Sequence, residues 1–509
     1  MEQRLALEVM LGGESVMLTG PAGSGKTYIL QEFIRLAKKE GKYVSVTATT
    51  GLAASHLGGS TIHSWSGMGI HGELPKNFFD HLSKTRRETI QKTAVLIIDE
   101  ISMLHDYRLD MLDEIARKVR GSEAPFGGLQ VILCGDFFQL PPVNRADERQ
   151  GGFVVNSNAW RALDPSVCYL NEQHRQQDDA FLEILNALRA GDIRRRHAEQ
   201  LLGRVGAELP SNNAVTELYV TNINVDTINA SRLGGIEGGE QVYEMQTTGS
   251  QNYVETLKRS CLALERLVLK KGALVMCVRN SPDKKYANGS LGVVVDFEPL
   301  LGYPIVQLRS GKEVTIGLET WELRDGDKKR ASITQIPLRL AWAITVHKSQ
   351  GMTLDAARID LRRAFVEGMG YVALSRVRSL DSLSLLGINN MALKVSRDAL
   401  EIDELLRARA RQDANKFAPL LERAKKRAEA PAKEKKTPGT SDWHEKIARM
   451  RETHPNAFKP WATEDDEQLK RLFDEGKGVK ELVEAFGRHP GSIRARLKKH
   501  FGEEIDIKP

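Results

Sequence analysis

The stretch Gly20-Pro21-Ala22-Gly23-Ser24-Gly25-Lys26-Thr27 constrains this chain more than any other. It has the form G-x-x-x-x-G-K-[ST], in which glycines let the backbone curl so that successive N–H groups point at phosphate oxygens. A short apolar run, Val16-Met17-Leu18, precedes it, and a helical pattern through Ile29, Leu30, Phe33, Ile34 and Leu36 follows. That strand–loop–helix order is the setting the loop needs, because the helix N-terminus adds its positive dipole end to the cradle. Gly23, Ser24 and Gly25 line the cradle. Lys26 is expected to reach the β- and γ-phosphates, Thr27 to offer its hydroxyl to Mg²⁺, and Tyr28 to join the nucleotide-binding set. The loop points to ATP as the energy source and leaves open the work it drives.

The first 145 residues alternate apolar runs with helical patterns: Val16–Leu18, Tyr43–Thr47, Ala94–Ile98 and Gln130–Cys134 read as strands. Such alternation predicts an α/β fold with a parallel sheet, helices on both faces, and ligand-binding loops along the carboxyl edge. A second α/β unit is expected from about 170 to 400, with Leu218–Val220 as a strand. Within it, a Gly- and β-rich stretch at about 235–330 reads as a small inserted barrel. Its short strands are Leu274–Val278, Val293–Val295 and Ile305–Leu308, with a turn near Asn288-Gly289. Residues 401–457 look helical, charged and linker-like, with Pro431, Pro438 and Gly439 marking the flexible part.

With 509 residues, 41% of them hydrophobic, several domains can each bury a core. No apolar run is long enough to span a bilayer, and the N-terminus lacks a signal-peptide pattern, so a cytoplasmic, nucleoid-associated protein is expected. The chain's compactness suggests bacterial or phage origin. Cys134, Cys168, Cys261 and Cys277 are widely spaced and read as reduced core residues. The net charge of +6 is uneven: residues 411–509 hold 23 Lys and Arg against 18 Asp and Glu, and the rest is close to neutral. Bulk charge therefore hints at nucleic acid only for the tail.

Chemistry concentrates at strand ends. Leu96-Ile97-Ile98-Asp99-Glu100 sets two carboxylates after a strand, Asp99 for the Mg²⁺ shell and Glu100 as general base for water. Gly135-Asp136-Phe137-Phe138-Gln139-Leu140-Pro141-Pro142 follows another, with Gln139 placed to sense a γ-phosphate. Arg175 and Arg376 are candidate donors of transition-state charge, although arginines in such positions also serve as surface ion pairs. Thr47–Ala54 is small and hydroxyl-rich, and Thr61-Ile62-His63-Ser64-Trp65 follows. Hydroxyls suit phosphates, and His63 or Trp65 could stack on a base; a helix start with a buried aromatic fits the same spacing. Residues 343–351 gather Thr345, His347, Lys348, Ser349 and Gln350, too polar for an ordinary core helix.

Taken in order, these segments resemble the petite-integration-frequency (Pif) helicases of superfamily 1B. The matching stretches are GPAGSGKT, TATTGLAA, GGSTIHSWSG, LIIDEISML, GDFFQLPPV, NEQHRQ, LYVTNINVDTIN, KGALVMCVRNSP with NGSLGVVV, LAWAITVHKSQGMTLD and EGMGYVALSRVRSL, over residues 1–395. The resemblance implies two RecA-like parallel-sheet domains, 1–169 and 170–400, with a wedge near 67–77 in the first and the barrel in the second. It implies an ATP-dependent 5′-to-3′ DNA helicase needing ATP and Mg²⁺. Lys26, Thr27, Asp99, Glu100, Gln139, Arg175 and Arg376 would form the ATPase site, Gly351 would close on the phosphates, and Gln3 would read adenine. Thr49, Thr50, Thr61, His63, Trp65, Pro142, Asn222, Thr345, His347 and Lys348 would meet DNA. Expected partners are single-stranded, duplex and forked DNA, structured DNA such as G-quadruplexes, and no membrane, with the free protein monomeric. A strand-dependent translocase that does not unwind, and an ATP-dependent DNA-binding switch, are the alternatives.

Residues 458–501 resemble a Myb/SANT-like helix-turn-helix module. Leu469, Leu472 and Phe473, then Leu482, Val483 and Phe486, then Ile493 and Leu497 mark three apolar helix faces. Arg494 and Arg496 on the third helix suit DNA. Glu464–Glu467 would repel phosphate if they faced it, so a protein-docking bundle stays open.

Overall fold

The computed structural model describes residues 1–69, 72–144, 149–172, 178–209, 215–221, 225–261, 263–279, 281, 283, 285–286, 290–309, 311–325, 328–354, 356–429, 453–456 and 463–501. Residues 1–426 form one compact unit and residues 427–509 a second.

Six parallel strands begin the first unit: β1 (Val16–Thr19), β2 (Val44–Ala48), β3 (Ser60–Thr61), β4 (Val95–Asp99), β5 (Gln130–Gly135) and β6 (Ser166–Tyr169), in the order β3-β2-β4-β5-β1-β6. β1 lies between β5 and the edge strand β6, with Val16 beside Ile132 on one side and Ser166 on the other. The four runs expected from the sequence agree to within a residue or two. β3 and β6 are additions, too short or too mixed in character to stand out. Alternate residues feed opposite faces: Val16, Leu18, Ile97 and Ile132 pack under helices α1 (Gln3–Leu11) and α2 (Lys26–Lys39), while Met17, Leu96, Ile98 and Leu133 enter the core on the other face. Each fully buried side chain of this size contributes about 1.5–3 kcal/mol, so both faces hold the carboxyl edge rigid.

A second parallel sheet holds β7 (Thr216–Tyr219), flanked by Ala343–Thr345 and Ala357–Leu361, with Leu383–Ile388 outermost. Between its strands lies an antiparallel insertion. Five strands run in the order Glu313–Thr315, Pro304–Leu308, Leu291–Phe297, Leu274–Cys277, Leu338–Leu340. A long hairpin, Glu319–Asp325 with Lys328–Gln335, carries Gln246–Gly249 at its side. Leu267, Val275, Val294, Val306, Ile336 and Leu338 form the insertion's own core. It extends to Leu340, beyond the expected 330, because Leu338–Leu340 closes the sheet against Leu274–Cys277. The expected turn at Asn288-Gly289 lies outside the described residues.

Arg397–Lys416 is a helix, as the sequence suggests from 401 on, and it is docked on β6. Ala399, Ile402, Leu406 and Ala410 form its buried stripe. Val167 N–H donates to the Asp413 carboxylate at 2.8 Å, and the Tyr169 hydroxyl donates to Asp403 at 2.7 Å. All four cysteines are buried free thiols. Among the described residues, no helix is long and apolar enough to cross a membrane.

The second unit contains helices Thr463–Asp474, Val479–Phe486 and Pro490–Phe501. Leu469, Leu482, Phe486, Ile493 and Leu497 form its core, with Leu472, Phe473 and Val483 packed against it. Every apolar position expected from the sequence is used.

Candidate functional site

The phosphate loop joins β1 to α2 at the carboxyl edge. Gly20 sits at φ 146° with Leu170 O only 2.5 Å from where a Cβ would lie, so no side chain fits. Gly23 (φ 86°) and Gly25 (φ 84°) take left-handed turns that direct N–H groups inward. Lys26 is half-buried and donates to the loop's own carbonyls, Gly20 O at 2.8 Å and Pro21 O at 3.0 Å. Burial lowers its pKa, against the pull of Asp136. Thr27 and Tyr28 are exposed beside the loop. Gln3, at the start of α1, donates to Ser24 O at 3.0 Å and braces the loop.

Asp99 ends β4, and Glu100 follows in a left-handed conformation (φ 54°, ψ 45°), which costs a non-glycine residue about 1–2 kcal/mol. Asp99 Oδ1 accepts the Glu100 N–H at 2.9 Å, and the Thr49 hydroxyl donates to Glu100 O at 3.0 Å. These bonds hold the strained residue. Burial raises the Glu100 carboxyl to about 7, Asp99 adding to the rise, while Lys26, Arg376 and the Gln350 amide oppose it. Burial raises Asp99 as well.

Gln139, buried after β5, faces the same point. Gln350, from the second sheet, donates through Nε2 to Glu100 Oε2 at 2.9 Å and to Gln139 Oε1 at 3.3 Å. Arg376 is fully buried. Its Nε donates to Val372 O at 2.7 Å, Nη2 to the Ser375 hydroxyl at 2.7 Å, and Nη1 reaches Met352 O at 3.3 Å. Its charge acts on Glu100, while these hydrogen bonds tie the guanidinium to its own helix and to the segment that carries Gln350. Gly351 is exposed at φ 78°.

A buried network underlies the loop. Tyr371 Oη accepts the Ala22 N–H at 2.9 Å and donates to Asp136 Oδ2 at 3.3 Å. Arg189 donates to Asp136 Oδ1 at 2.6 Å, to the Tyr169 hydroxyl at 3.0 Å and to Asp403 at 3.2 Å, with its guanidinium 4.2 Å from the Phe138 ring centre. Burial opposes the Arg189 charge, but Asp136, Tyr371, Tyr169 and Asp403 together more than offset it and hold the pKa up.

The expected DNA-facing residues divide. Thr49 and Thr50 lie after β2, the Thr50 hydroxyl capping Ala53 N–H. Thr61 caps the turn that carries His63, accepting from Ser64 N–H at 3.2 Å. His63 Nε2 is bonded to the Arg108 guanidinium. Since guanidinium only donates, this nitrogen accepts and the ring is neutral. His347 and Lys348 are half-buried in a short turn after Ala343–Thr345. Three expectations need correction. Trp65 is 5% exposed and part of the core, so it offers no stacking face. Pro142 is buried. The Thr345 hydroxyl is buried and accepts Lys348 N–H at 3.3 Å. Arg175 and Asn222 lie outside the described residues, as do 70 and 71 of the expected wedge.

In the C-terminal unit, Arg494 is exposed, but Arg496 is not available to a phosphate: Nε and Nη2 pair with the two oxygens of Asp466 at 2.6 and 2.5 Å. Asp465 pairs with the buried Arg488 at 3.1 Å. Two of the acids that seemed to argue against DNA, Asp465 and Asp466, thus brace the bundle.

Sequence reading gave no separate role to Gln350, Asp136, Arg189 or Tyr371. Three of these stand inside segments already marked, SQG, GDFFQ and GYVALSR; Arg189 lies in no marked segment and only its burial reveals it.

Fold and site together define a phosphate-loop ATPase on two parallel sheets, in which the second sheet reaches the hydrolytic side chains of the first. A family model described as PIF1-like helicase matches residues 2–199, and one described as DNA helicase Pif1, 2B domain, matches residues 252–297. The ATP-dependent DNA helicase Pif1 of Psychrobacter sp. is 40% identical over 456 residues, covering 78% of this chain and 69% of that protein. The crystal structure of Pif1 helicase from Candida albicans, 35% identical, aligns with a TM-score of 0.71 over 79% of this chain and 98% of that one. That of Pif1 helicase from Bacteroides in complex with ADP-AlF3 and ssDNA, 31% identical, gives 0.62 over 80% and 97%. The chain belongs to the Pif1-like helicase family, and it is an ATP-hydrolysing enzyme.

Proposed function

We propose that this chain is a 5′-to-3′ DNA helicase that translocates on single-stranded DNA and splits the duplex ahead of it. The observation that carries the reading is the meeting of Glu100 and Gln139 from the first sheet with Gln350 from the second, on the segment that also holds His347 and Lys348. A DNA-gripping segment and the hydrolytic residues are thereby one structure. The Bacteroides relative solved with ADP-AlF3 and ssDNA supports the pairing of ligands.

In this mechanism Lys26 exchanges its bonds to Gly20 and Pro21 for the terminal phosphates of ATP. Glu100 takes the proton of the attacking water, which its raised pKa suits. Gln139 senses the γ-phosphate, and Arg175 and Arg376 supply positive charge from the second domain. Asp99 and Thr27 are hard oxygen donors of the kind Mg²⁺ prefers; bound there, the ion would neutralise phosphate charge. Thr49, Thr50, His63, Asn222, His347 and Lys348 grip the strand, and loss of the γ-phosphate lets the domains part. The division into 1–169 and 170–400, with the wedge near 67–77, is part of the proposal. So is a Myb/SANT-like C-terminal module, with Arg494 rather than Arg496 meeting duplex DNA. We take the free protein to be a monomer, and structured DNA such as G-quadruplexes to be among its substrates.

The test compares duplexes bearing a 5′ or a 3′ single-stranded tail, with ATP and Mg²⁺, for the wild type and Lys26→Ala. Opening of the 5′-tailed duplex alone, lost in the variant, is expected. Opening of the 3′-tailed duplex alone overturns the polarity. ATP hydrolysis that rises with single strands while neither duplex opens makes the protein a translocase.

A further inference from the structure

Gln350 reaches from the second sheet to two side chains of the first. It is 8% exposed, and one amide nitrogen bridges the oxygen of Glu100 that would receive a proton and the oxygen of Gln139. While that amide is in place, the general base and the γ-phosphate sensor of the proposed mechanism are both held by hydrogen bonds, one of them to a carboxylate and so of the stronger kind.

The backbone around Gln350 connects it directly to the turn bearing His347 and Lys348. His347–Ser349 is one 3-10 turn, closed by Ser349 N–H to Val346 O at 3.1 Å and reinforced by the Ser349 hydroxyl on the same carbonyl at 2.8 Å. Gln350 N–H reaches His347 O at 3.4 Å. Gly351, at φ 78°, follows as a left-handed joint. A turn this short cannot move at Lys348 while Gln350 stays still.

We propose that Gln350 is a positioning residue that acts as a brake: its amide restrains Glu100 and Gln139 until a single strand seated on the His347–Lys348 turn draws it away. The proposal rests on the reading that this turn grips DNA. ATP turnover without DNA is held down by the clamp, and stimulation by DNA consists in large part of its release.

The experiment measures steady-state ATP hydrolysis by the full chain, with and without a saturating oligothymidylate, for the wild type, Gln350→Met and Gln350→Asn. Methionine keeps the volume and removes both bonds; asparagine keeps the amide but is one methylene too short to span both partners. Loss of a charge-assisted bond should raise the DNA-free kcat of Gln350→Met about tenfold, leave the DNA-stimulated kcat within about twofold, and so cut the stimulation ratio about tenfold. The KM for ATP should stay unchanged, since Lys26 is untouched, and Gln350→Asn should fall between. If Gln350→Met does not fold, Gln350→Asn decides alone. A DNA-free kcat that is unchanged, or that falls in step with the stimulated one, overturns the brake, because a merely structural role lowers both together. A wild type that DNA does not stimulate at all overturns the helicase reading, and the brake with it.

Discussion

The two parallel sheets contribute to one site in different ways. On the first, every chemical group sits at the carboxyl end of a strand: the loop after β1, Asp99 at the end of β4, Gln139 after β5. Parallel strands buried on both faces fix those ends, and each group is held by bonds to nearby backbone, as Thr49 holds Glu100. On the second, Gln350, Tyr371 and Arg376 lie on turns and a short helix, and Gln350 and Tyr371 act by reaching across. Gln350 bonds Glu100 from 250 residues away, and Tyr371 accepts the Ala22 N–H from 349 away. The first sheet holds the chemistry, and the second can withhold or permit it. A nucleotide site built on strand ends resists movement, whereas one completed by turns from another sheet is set by whatever moves those turns.

The largest effect should come from the first sheet alone. Lys26→Ala removes the cation that meets the phosphates, and kcat for ATP should drop at least about 10²–10³-fold, as when other preorganised charge donors are lost. Denaturation midpoints should barely change, because among the described residues Lys26 donates to loop carbonyls, Gly20 O and Pro21 O. Retained turnover would break the contrast by shifting the chemistry off the first sheet.

The junction between the sheets should show the reverse pattern. Arg189→Ala leaves Asp136 buried without its ion-pair partner and takes a bond from Asp403, so urea unfolding should show a loss of about 3–5 kcal/mol. A loss below about 1 kcal/mol would mean that the network does not fasten the loop to its neighbours. Tyr371→Phe is gentler. It deletes one hydroxyl bonded to Ala22 N–H and Asp136, and about 1–2 kcal/mol should be lost. It also frees a loop N–H toward the phosphates, so the ATP Kd should shift while Lys26→Ala behaves as before. An unchanged Kd would confine Tyr371 to stability.

How much of this is legible in sequence follows the same division. The phosphate loop, the Asp99-Glu100 pair and Gln139 are local patterns after apolar runs, and strand ends place them. Gln350, Arg189 and Tyr371 acquire meaning from partners 20 to 349 residues away, which no spacing encodes. Trp65 carries an indole that reads equally as a stacking platform or a core residue, and only its neighbours, the apolar side chains around it, decide for the core. Arg496 reads as basic until Asp466, 30 residues earlier, is seen to hold it. The docked helix Arg397–Lys416 is charged enough to pass for a linker because its apolar stripe is narrow and two of its four apolar members are alanines.

The smallest effect is expected at His63, on the periphery of the first sheet. Burial pushes its pKa down to about 4, and the charges of Arg108 and His105 push the same way. Between pH about 6.5, where an unfolded histidine titrates, and about 4, the unfolded chain holds a proton on this ring that the folded chain does not. Stability from this residue is therefore present above pH 6.5, declines as the pH falls through that window, and stops declining below 4. Arg108→Met removes the cationic neighbour while keeping bulk, so the His63 pKa, followed by NMR of labelled histidine, should rise toward 6.5. If it stays near 4, burial alone sets it. If the wild-type ring already titrates near 6.5, the Arg108 bond does not hold His63 neutral, and a strand phosphate could then meet a charged His63 at neutral pH, giving the first sheet a moving part of its own.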